Sequence, residues 1–343
     1  MKLAIDTLRL RGDLERLAAT AGARDSFRDW CLACGLEWRQ DAAGNAFARW
    51  AGGQPELPPV AVAAPCGMEA IRALRAAGYQ PRRPVELILF AAVEPARFGM
   101  ACLGSRFLSG AMPAWKAARL AGADGKTFDE WRAAAGFEGP LESVALPAGH
   151  YAAFVGMHAE TGGLLEKAGV PLGIATSFTA SAGLRVTVEA AGGQDALGAA
   201  AEIALEVEKI SSGAGSVVTV TDGAPSRVRL EISLEDSDQA RRDRMVGQLA
   251  GACRDTAQRR RLTVRADVLH MDPAAACSAE VVDALARAAG AHALSYQPMA
   301  ARGCHDARFL SRIAPAALLL AAGAGQTASA ALVLAETLSG LAG

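Results

Sequence analysis

Leu184–Ala190 (LRVTVEA), Gln194–Ile210 (QDALGAAAEIALEVEKI), Ser216–Thr221 (SVVTVT), Arg227–Ser233 (RVRLEIS), Ser237–Arg260 and Leu262–Leu269 (LTVRADVL) follow one another in the middle of the chain. The first, third, fourth and last alternate apolar and polar residues, the period of a strand with one buried face. The second and fifth carry apolar residues at helical spacing along one side only. The order is βαββαβ, the split arrangement of a ferredoxin-like unit, with helices covering one face of a four-stranded sheet and the other face free.

Around this segment the rhythm is that of a larger α/β layer. Residues 9–36 read as one helix ending near Gly35, followed by short strands at 36–38 and 46–50 about the turn Asp41-Ala-Ala-Gly44-Asn45. Val60–Ala64 and Pro84–Ala92 are continuous apolar runs of the buried-strand type, with a helix at 67–77 between them. After Pro273 come a helix at 278–290, a strand at 315–322 and a helix at 326–341. Strands alternating with helices give a sheet covered on both faces. The expected organisation is an α/β domain of residues 1–180 plus 272–343, interrupted by a small unit at 181–271.

Composition sets limits on function. The 343 residues are 51% hydrophobic and 21% charged, as in a well-packed globular protein. A net charge of −1 leaves no field to attract nucleic acid or an anionic membrane. The arginines between Arg241 and Arg261 are interleaved with Asp238, Asp243 and Asp255, so they read as a solvated helix face. No apolar run is long enough to span a bilayer, and the opening residues lack the apolar core of a signal peptide. The seven scattered cysteines suit a reducing compartment, so the expected location is cytoplasmic; Cys31 and Cys34 read as core residues.

Four segments bear chemistry. Asp41-Ala-Ala-Gly-Asn45 precedes a strand, and Val93-Glu94-Pro95-Ala96-Arg97-Phe98-Gly99 follows one. Met157-His158-Ala159-Glu160-Thr161-Gly162 and Gly303-Cys304-His305-Asp306-Ala307 complete the set. In order, these resemble the D-x-x-G-N, E-E-G-x-R-F-G, H-x-E-Q-G and G-A-G-H-D-A segments of the hydantoinase/carbamoylase amidohydrolases. That is the N-carbamoyl-amino-acid and allantoate amidohydrolase branch of the zinc aminoacylase and carboxypeptidase superfamily. The resemblance implies a zinc-exopeptidase-like α/β domain with the ferredoxin-like unit inserted as a dimerisation or lid domain. It also implies a pair of zinc or manganese ions and hydrolysis of a ureido C–N bond.

The same resemblance marks what has changed. The family takes one histidine ligand and a bridging aspartate from the region after the first buried strand. Here that strand runs into Pro65-Cys66-Gly67-Met68-Glu69, and no histidine occurs between Met1 and Gly149. The general-base position aligns with Val93, and valine cannot accept a proton. Glu94 and His158 align with retained ligands, while Gly323-Ala-Gly-Gln326-Thr-Ala-Ser329 lacks the last histidine. In the inserted unit, Ala190–Asp195 replaces a histidine segment, Pro225 lacks its asparagine, and Ser233-Leu234-Glu235 replaces the arginine segment that meets the substrate carboxylate.

The expectation is a degenerate amidohydrolase homologue with no bound metal cofactor and no catalytic residue at position 93. Glu94, His158, His305 and Asp306 are its candidate ligand-binding residues, with Glu94 and His158 as residual metal ligands. It would act as a binding subunit for a small amide or ureido compound, as a homodimer or beside an active paralogue, without nucleic acid or membrane. The alternative is a hydrolase of linear amide or ureido C–N bonds with a mononuclear or metal-free site.

Overall fold

The computed structural model describes residues 1–18, 22–94, 97–122, 124–160, 162–191, 195–224 and 226–343. Its larger sheet has nine strands among these residues. They are β1 (Glu37–Gln40), β2 (Ala46–Trp50), β3 (Val60–Ala63), β4 (Val85–Leu89), β5 (Ala153–Glu160), β6 (Leu172–Phe178), β11 (Ala275–Ala276), β12 (Tyr296–Ala301) and β13 (Ala316–Ala322). The order is β1-β2-β4-β3-β5-β13-β6-β11, with β12 pairing β6. β4, β3, β5 and β13 run parallel in the middle, and antiparallel strands finish both edges.

Strand periodicity divides the core in two. On β13, Ala317, Leu319 and Ala321 face one cluster while Ala316, Leu318 and Leu320 face the other. Helices α1 (Thr7–Ala18), α2 (Ala23–Ala33), α3 (Cys66–Ala76), α9 (Ala279–Ala291) and α11 (Thr327–Ala342) cover the first face. The shorter α4 (Leu103–Leu108), α5 (Phe128–Ala134), α6 (Leu164–Ala168) and α10 (Asp306–Leu310) cover the second. The helix expected over 9–36 is two helices. Gly22 caps α2 in the left-handed region at φ 81°, which glycine adopts without steric cost, so α2 starts afresh after it.

The second sheet lies between β6 and β11 in sequence. β7 (Ala180–Glu189), α7 (Ala196–Ile210), β8 (Gly215–Ala224), β9 (Arg227–Asp236), α8 (Gln239–Arg260) and β10 (Thr263–Asp272) form an antiparallel sheet of order β10-β7-β9-β8. The fold is thus a zinc-exopeptidase-like α/β layer with an inserted ferredoxin-like unit. Leu184, Val186, Val228, Leu230 and Ile232 bury one face of the insertion against Ile203, Val207, Met245 and Leu249 of its helices. No helix among the described residues is long and apolar enough to cross a membrane.

Candidate functional site

Because β3, β4, β5 and β13 are parallel, their C-terminal ends open on one edge, the crevice in which open α/β sheets hold ligands. There β3 leads to Cys66, β4 to Val93 and Glu94, β5 carries His158 and Glu160, and β13 leads to Gln326. The D-x-x-G-N segment builds the floor of this edge. Asp41 Oδ1 accepts from the amides of Ala43 (3.0 Å) and Asn45 (2.9 Å). The buried Asn45 amide donates to Asp41 Oδ2 (2.7 Å) and Gly104 O (3.2 Å), and its Oδ1 accepts from the Ala91 N–H (2.9 Å). A Cβ on Gly104 would press on Asn45 Oδ1 and the Ala91 backbone, so α4 sits against the exit of β4 only with glycine there. In this chain the segment is scaffolding for the loop that carries Val93 and Glu94.

The four candidate residues do not all meet. Glu94 is exposed, with no hydrogen bond or ion pair among the described residues, and Val93 packs at the margin of the second core cluster. His158 is exposed at the end of β5, and its ring lies edge-on to that of the buried His305, with centroids 5.1 Å apart. His305 Nε2 is 2.6 Å from the Arg302 carbonyl, so this nitrogen carries the proton and donates. Burial pushes His305 down to about 4, helped by His158, and leaves it neutral near pH 7. Asp306 follows at the start of α10. Burial pushes its carboxyl up to about 6, against the opposing pull of Ser105, His158 and Cys102. Its Oδ1 has no hydrogen-bond partner. His158, His305 and Asp306 therefore form one cluster, and Glu94 stands outside it.

The donors present do not fit a pair of metal ions. Among the described residues no group of three or more His, Cys, Asp or Glu side chains is placed to hold a metal. Cys66 is buried in the first core cluster, and burial pushes its thiol up to about 12. The Glu160 carboxylate is committed to the start of α6, accepting from the amides of Leu164 (2.8 Å), Leu165 (3.2 Å) and Gly162. Gln326 Oε1 accepts from Ser329 Oγ (3.1 Å). Pro95, Ala96 and Thr161 of the motif segments, and Gly192–Gln194 and Pro225 of the altered substrate segments, lie outside the described residues.

Sequence reading missed a set of charged residues where the chain crosses between the sheets. Arg106 on α4 pairs with Asp272 through Nη1–Oδ1 (2.9 Å) and Nη2–Oδ2 (2.7 Å). Burial pushes the Asp272 carboxyl up, but His270 and Arg106 outweigh that and hold it well below the usual carboxylate range. Arg308 donates to Ser181 Oγ (3.0 Å), Thr179 O (2.5 Å) and Pro273 O (2.6 Å). Arg242 donates to Ser181 O and to Asp272 O (2.9 Å). Arg242 is therefore no part of a solvated helix face. It is buried with Met245, Leu249, Cys253 and Thr256, and that spacing of three and four was the available signal.

Nor is the second face of the insertion free throughout. Arg185 on β7 donates to Glu231 Oε1 (2.6 Å) and reaches the larger unit at Ala121 O (2.9 Å) and Phe98 O (3.0 Å). Glu235 on β9 accepts from the Gly303 N–H (2.9 Å), just before the His305–Asp306 pair. The insertion is docked on the loops that border the crevice.

Residues 63–332 match the family model described as "Peptidase family M20/M25/M40". The chain belongs to peptidase family M20/M25/M40. Within M20 it groups with the hydantoinase/carbamoylase amidohydrolases. It is 33% identical to a ureidoglycolate hydrolase of Arabidopsis thaliana over 87% of this chain and 72% of that one. It is 28% identical to an N-carbamoyl-L-amino-acid amidohydrolase of Paenarthrobacter aurescens, over 85% and 81% of the two chains. Its structure superposes on that of AtUAH in complex with (S)-hydroxyglycine with a TM-score of 0.90 at 29% identity, covering 99% of this chain and 98% of that one. The same fold recurs, at 21% identity and a TM-score of 0.89, in a hydantoinase/carbamoylase-family amidase of Burkholderia vietnamiensis, with coverage of 100% and 99%. This M20 chain is thus a homologue of hydrolases acting on C–N bonds.

Proposed function

We propose that this chain binds a small amide or ureido compound and does not carry out dinuclear metal-dependent hydrolysis. One observation carries the reading: no metal-holding cluster exists among the described residues at the parallel strand ends. Val93, at the position that the family resemblance assigns to the general base, offers no proton acceptor. The ligand would lie in the crevice beside His158, His305 and Asp306. Pairing through the inserted unit, with a second copy or an active paralogue, is supported by β8. This edge strand exposes Val217 and Val220. All seven cysteines are free thiols, which supports a cytoplasmic location.

The test is metal analysis of the purified chain, together with turnover and calorimetric binding of N-carbamoyl amino acids and ureidoglycolate. The expected result is binding without stoichiometric zinc or manganese and without turnover. A pair of ions per chain with turnover would overturn the proposal.

A second reading, metal-free or mononuclear hydrolysis, draws support from Asp306. A half-buried carboxyl at about 6 beside a neutral histidine has the properties of a general acid or base. Its kinship with named hydrolases supports this reading equally. Turnover that persists after chelation and vanishes in Asp306→Asn would favour it over the first.

A further inference from the structure

Two stretches of chain cross between the units, and Asp272 is the register partner of Ser181, so the crossings lie side by side. Three arginines from three helices close on them. Arg308 comes from α10, two residues after Asp306. Its guanidinium spans both crossings, donating to Thr179 O (2.5 Å) and Ser181 Oγ (3.0 Å) on one and to Asp272 O (3.3 Å) and Pro273 O (2.6 Å) on the other. Arg242, from α8 of the insertion, donates to Ser181 O and to Asp272 O (2.9 Å). Arg106, from α4, takes the Asp272 carboxylate. It is held in turn by Ala101 O (2.9 Å) and by the face of Phe309, whose ring centroid lies 4.2 Å from the guanidinium carbon.

A hinge turns by changing backbone angles in a few linking residues, whose polar groups must be free to change partners as it moves. Here they are committed. Thr179 also donates its N–H (3.0 Å) and its hydroxyl (3.4 Å) to Ala301 O. Arg106, Arg242 and Arg308 are 3%, 2% and 4% exposed, so a bond broken at the crossing is not replaced by one to water. Further along the inserted sheet, Arg185 holds Phe98 O and Ala121 O, and Glu235 holds the Gly303 N–H. Helix α10 has only five residues, and the Arg308 N–H donates to His305 O (3.0 Å). Arg308 therefore cannot follow a moving crossing while His305 and Asp306 stay in place.

We propose that the paired crossings form a locked hinge, so that the insertion is a fixed wall of the crevice, and that Arg308 is the positioning residue that ties its angle to the seat of His305 and Asp306. Of the three arginines, it is Arg308 that reaches Thr179 and Pro273, which lie between the strands of the two sheets, and that shares a helix with Asp306. Loss of this clamp would act at both ends of the link. The insertion would be free to change its angle, and α10 would lose the bonds that seat its first turn. The lock needs the holds at Arg185 and Glu235 as well, and losing either set frees the unit. The proposal rests on these bonds and holds whether the crevice only binds its ligand or hydrolyses it.

The test measures distances by double electron–electron resonance in the full chain. Spin labels are carried on keto-bearing unnatural residues at Glu208 on α7 and Glu280 on α9, both exposed, which leaves the native thiols untouched. The parent should give one narrow distance population. Arg308→Ala should broaden it at least about twofold or split it, and should speed amide exchange at residues 303–310 about tenfold, ahead of strands β3 and β13. Arg308→Lys keeps the charge without the planar fork, so it should fall between the parent and the alanine variant in both readings. Leu334→Ala, which opens a cavity in the first core cluster, should lower the thermal midpoint without changing the distance population, and this separates the clamp from general instability. If Arg308→Ala fails to fold, Arg308→Lys decides by the same two readings. A broad or two-peaked population in the parent would overturn the lock. A population as narrow in the Arg308 variants as in the parent, or unchanged exchange at 303–310 in them, would overturn the role of Arg308.

Discussion

The guanidinium of Arg106 and the carboxylate of Asp272 lie 166 residues apart in sequence and meet through two parallel hydrogen bonds of 2.9 and 2.7 Å at the crossing between the sheets. Both side chains are nearly buried. Such a pair contributes modestly when intact, but removing one member strands a charge without water. Asp272→Ala should therefore lower unfolding free energy by about 3–5 kcal/mol in urea titrations. A loss under about 1 kcal/mol would show that the pair is loosely held. Because the native carboxyl lies below its unfolded value, its contribution is present above about pH 4 and fades as the pH falls through the native value. The deficit of the variant should accordingly shrink in acid.

His305 and Asp306 are adjacent and titrate in opposite senses. The native His305 value of about 4 lies below its unfolded value near ~6.5, so between them only the unfolded chain binds that proton. Stability then falls as the pH drops through this window. The native Asp306 value of about 6 lies above its unfolded value near ~3.9, so here only the native chain binds the proton and stability rises as the pH drops. Each effect is worth roughly 3 kcal/mol, and the two nearly cancel. Asp306→Asn should expose the first, losing stability relative to the parent as the pH falls from about 6 to about 4, and His305→Gln should expose the second as a relative gain. Flat difference curves for both variants in urea unfolding would refute the assignment.

Arg185 fixes the inserted unit against the crevice loops through Phe98 O and Ala121 O. Arg185→Ala leaves those carbonyls and Glu231 with one partner fewer, and should cost about 1–3 kcal/mol. The more telling readout is positional. Amide exchange should accelerate across residues 97–122, and small-angle scattering should report a larger radius of gyration. Unchanged exchange there would mean that the docking is held by Glu235 and the buried arginines alone.

Asn45 Oδ1 is the acceptor for the Ala91 N–H at the exit of β4, a buried donor with no water to turn to. Asn45→Ala should cost about 2–3 kcal/mol, the penalty of an unsatisfied buried amide plus the lost bonds to Asp41 and Gly104. Asn45→Asp keeps the acceptor but turns a carboxylate oxygen on Asp41 Oδ2 and Gly104 O, so it should cost at least as much near neutral pH and recover part of the loss only in acid, where a carboxyl takes up a proton. Full recovery near neutral pH would show that the donor side of the amide contributes nothing.

What was legible in the sequence followed from periodicity. The alternation in LRVTVEA and RVRLEIS gave β7 and β9, and the one-sided stripes gave α7 and α8. Strand β12 escaped notice because Tyr296-Gln-Pro-Met-Ala-Ala301 has neither alternation nor an apolar run; it is an outer strand half open to solvent. The break between α1 and α2 was hidden because alanines continue the helical pattern through it. At the site, His158, His305 and Asp306 were found through local motifs, whereas Cys102, Arg106 and Asp272 were not. Their meaning lies in long-range contacts that leave no spacing to read. The docking of Arg185 and Glu235 was equally hidden, since polar residues on the open side of a strand look the same whether they face water or another unit.

If the donor set is as sparse as its geometry, restoring one group should restore nothing. Val93→Glu returns a carboxylate to the general-base position, but that base would have no metal-bound water to deprotonate. The variant should bind no stoichiometric zinc or manganese and should stay inactive toward N-carbamoyl amino acids and ureidoglycolate. On the proposed reading, exhaustive chelation should leave the thermal midpoint of the parent within about 1 °C. These measurements separate two histories. A chain missing only its base would regain turnover with Val93→Glu, whereas a chain whose β3 and β13 exits have lost their ligands would not. A fall of several degrees on chelation, or metal-dependent turnover by Val93→Glu, would identify the site as an intact metal centre with one altered residue.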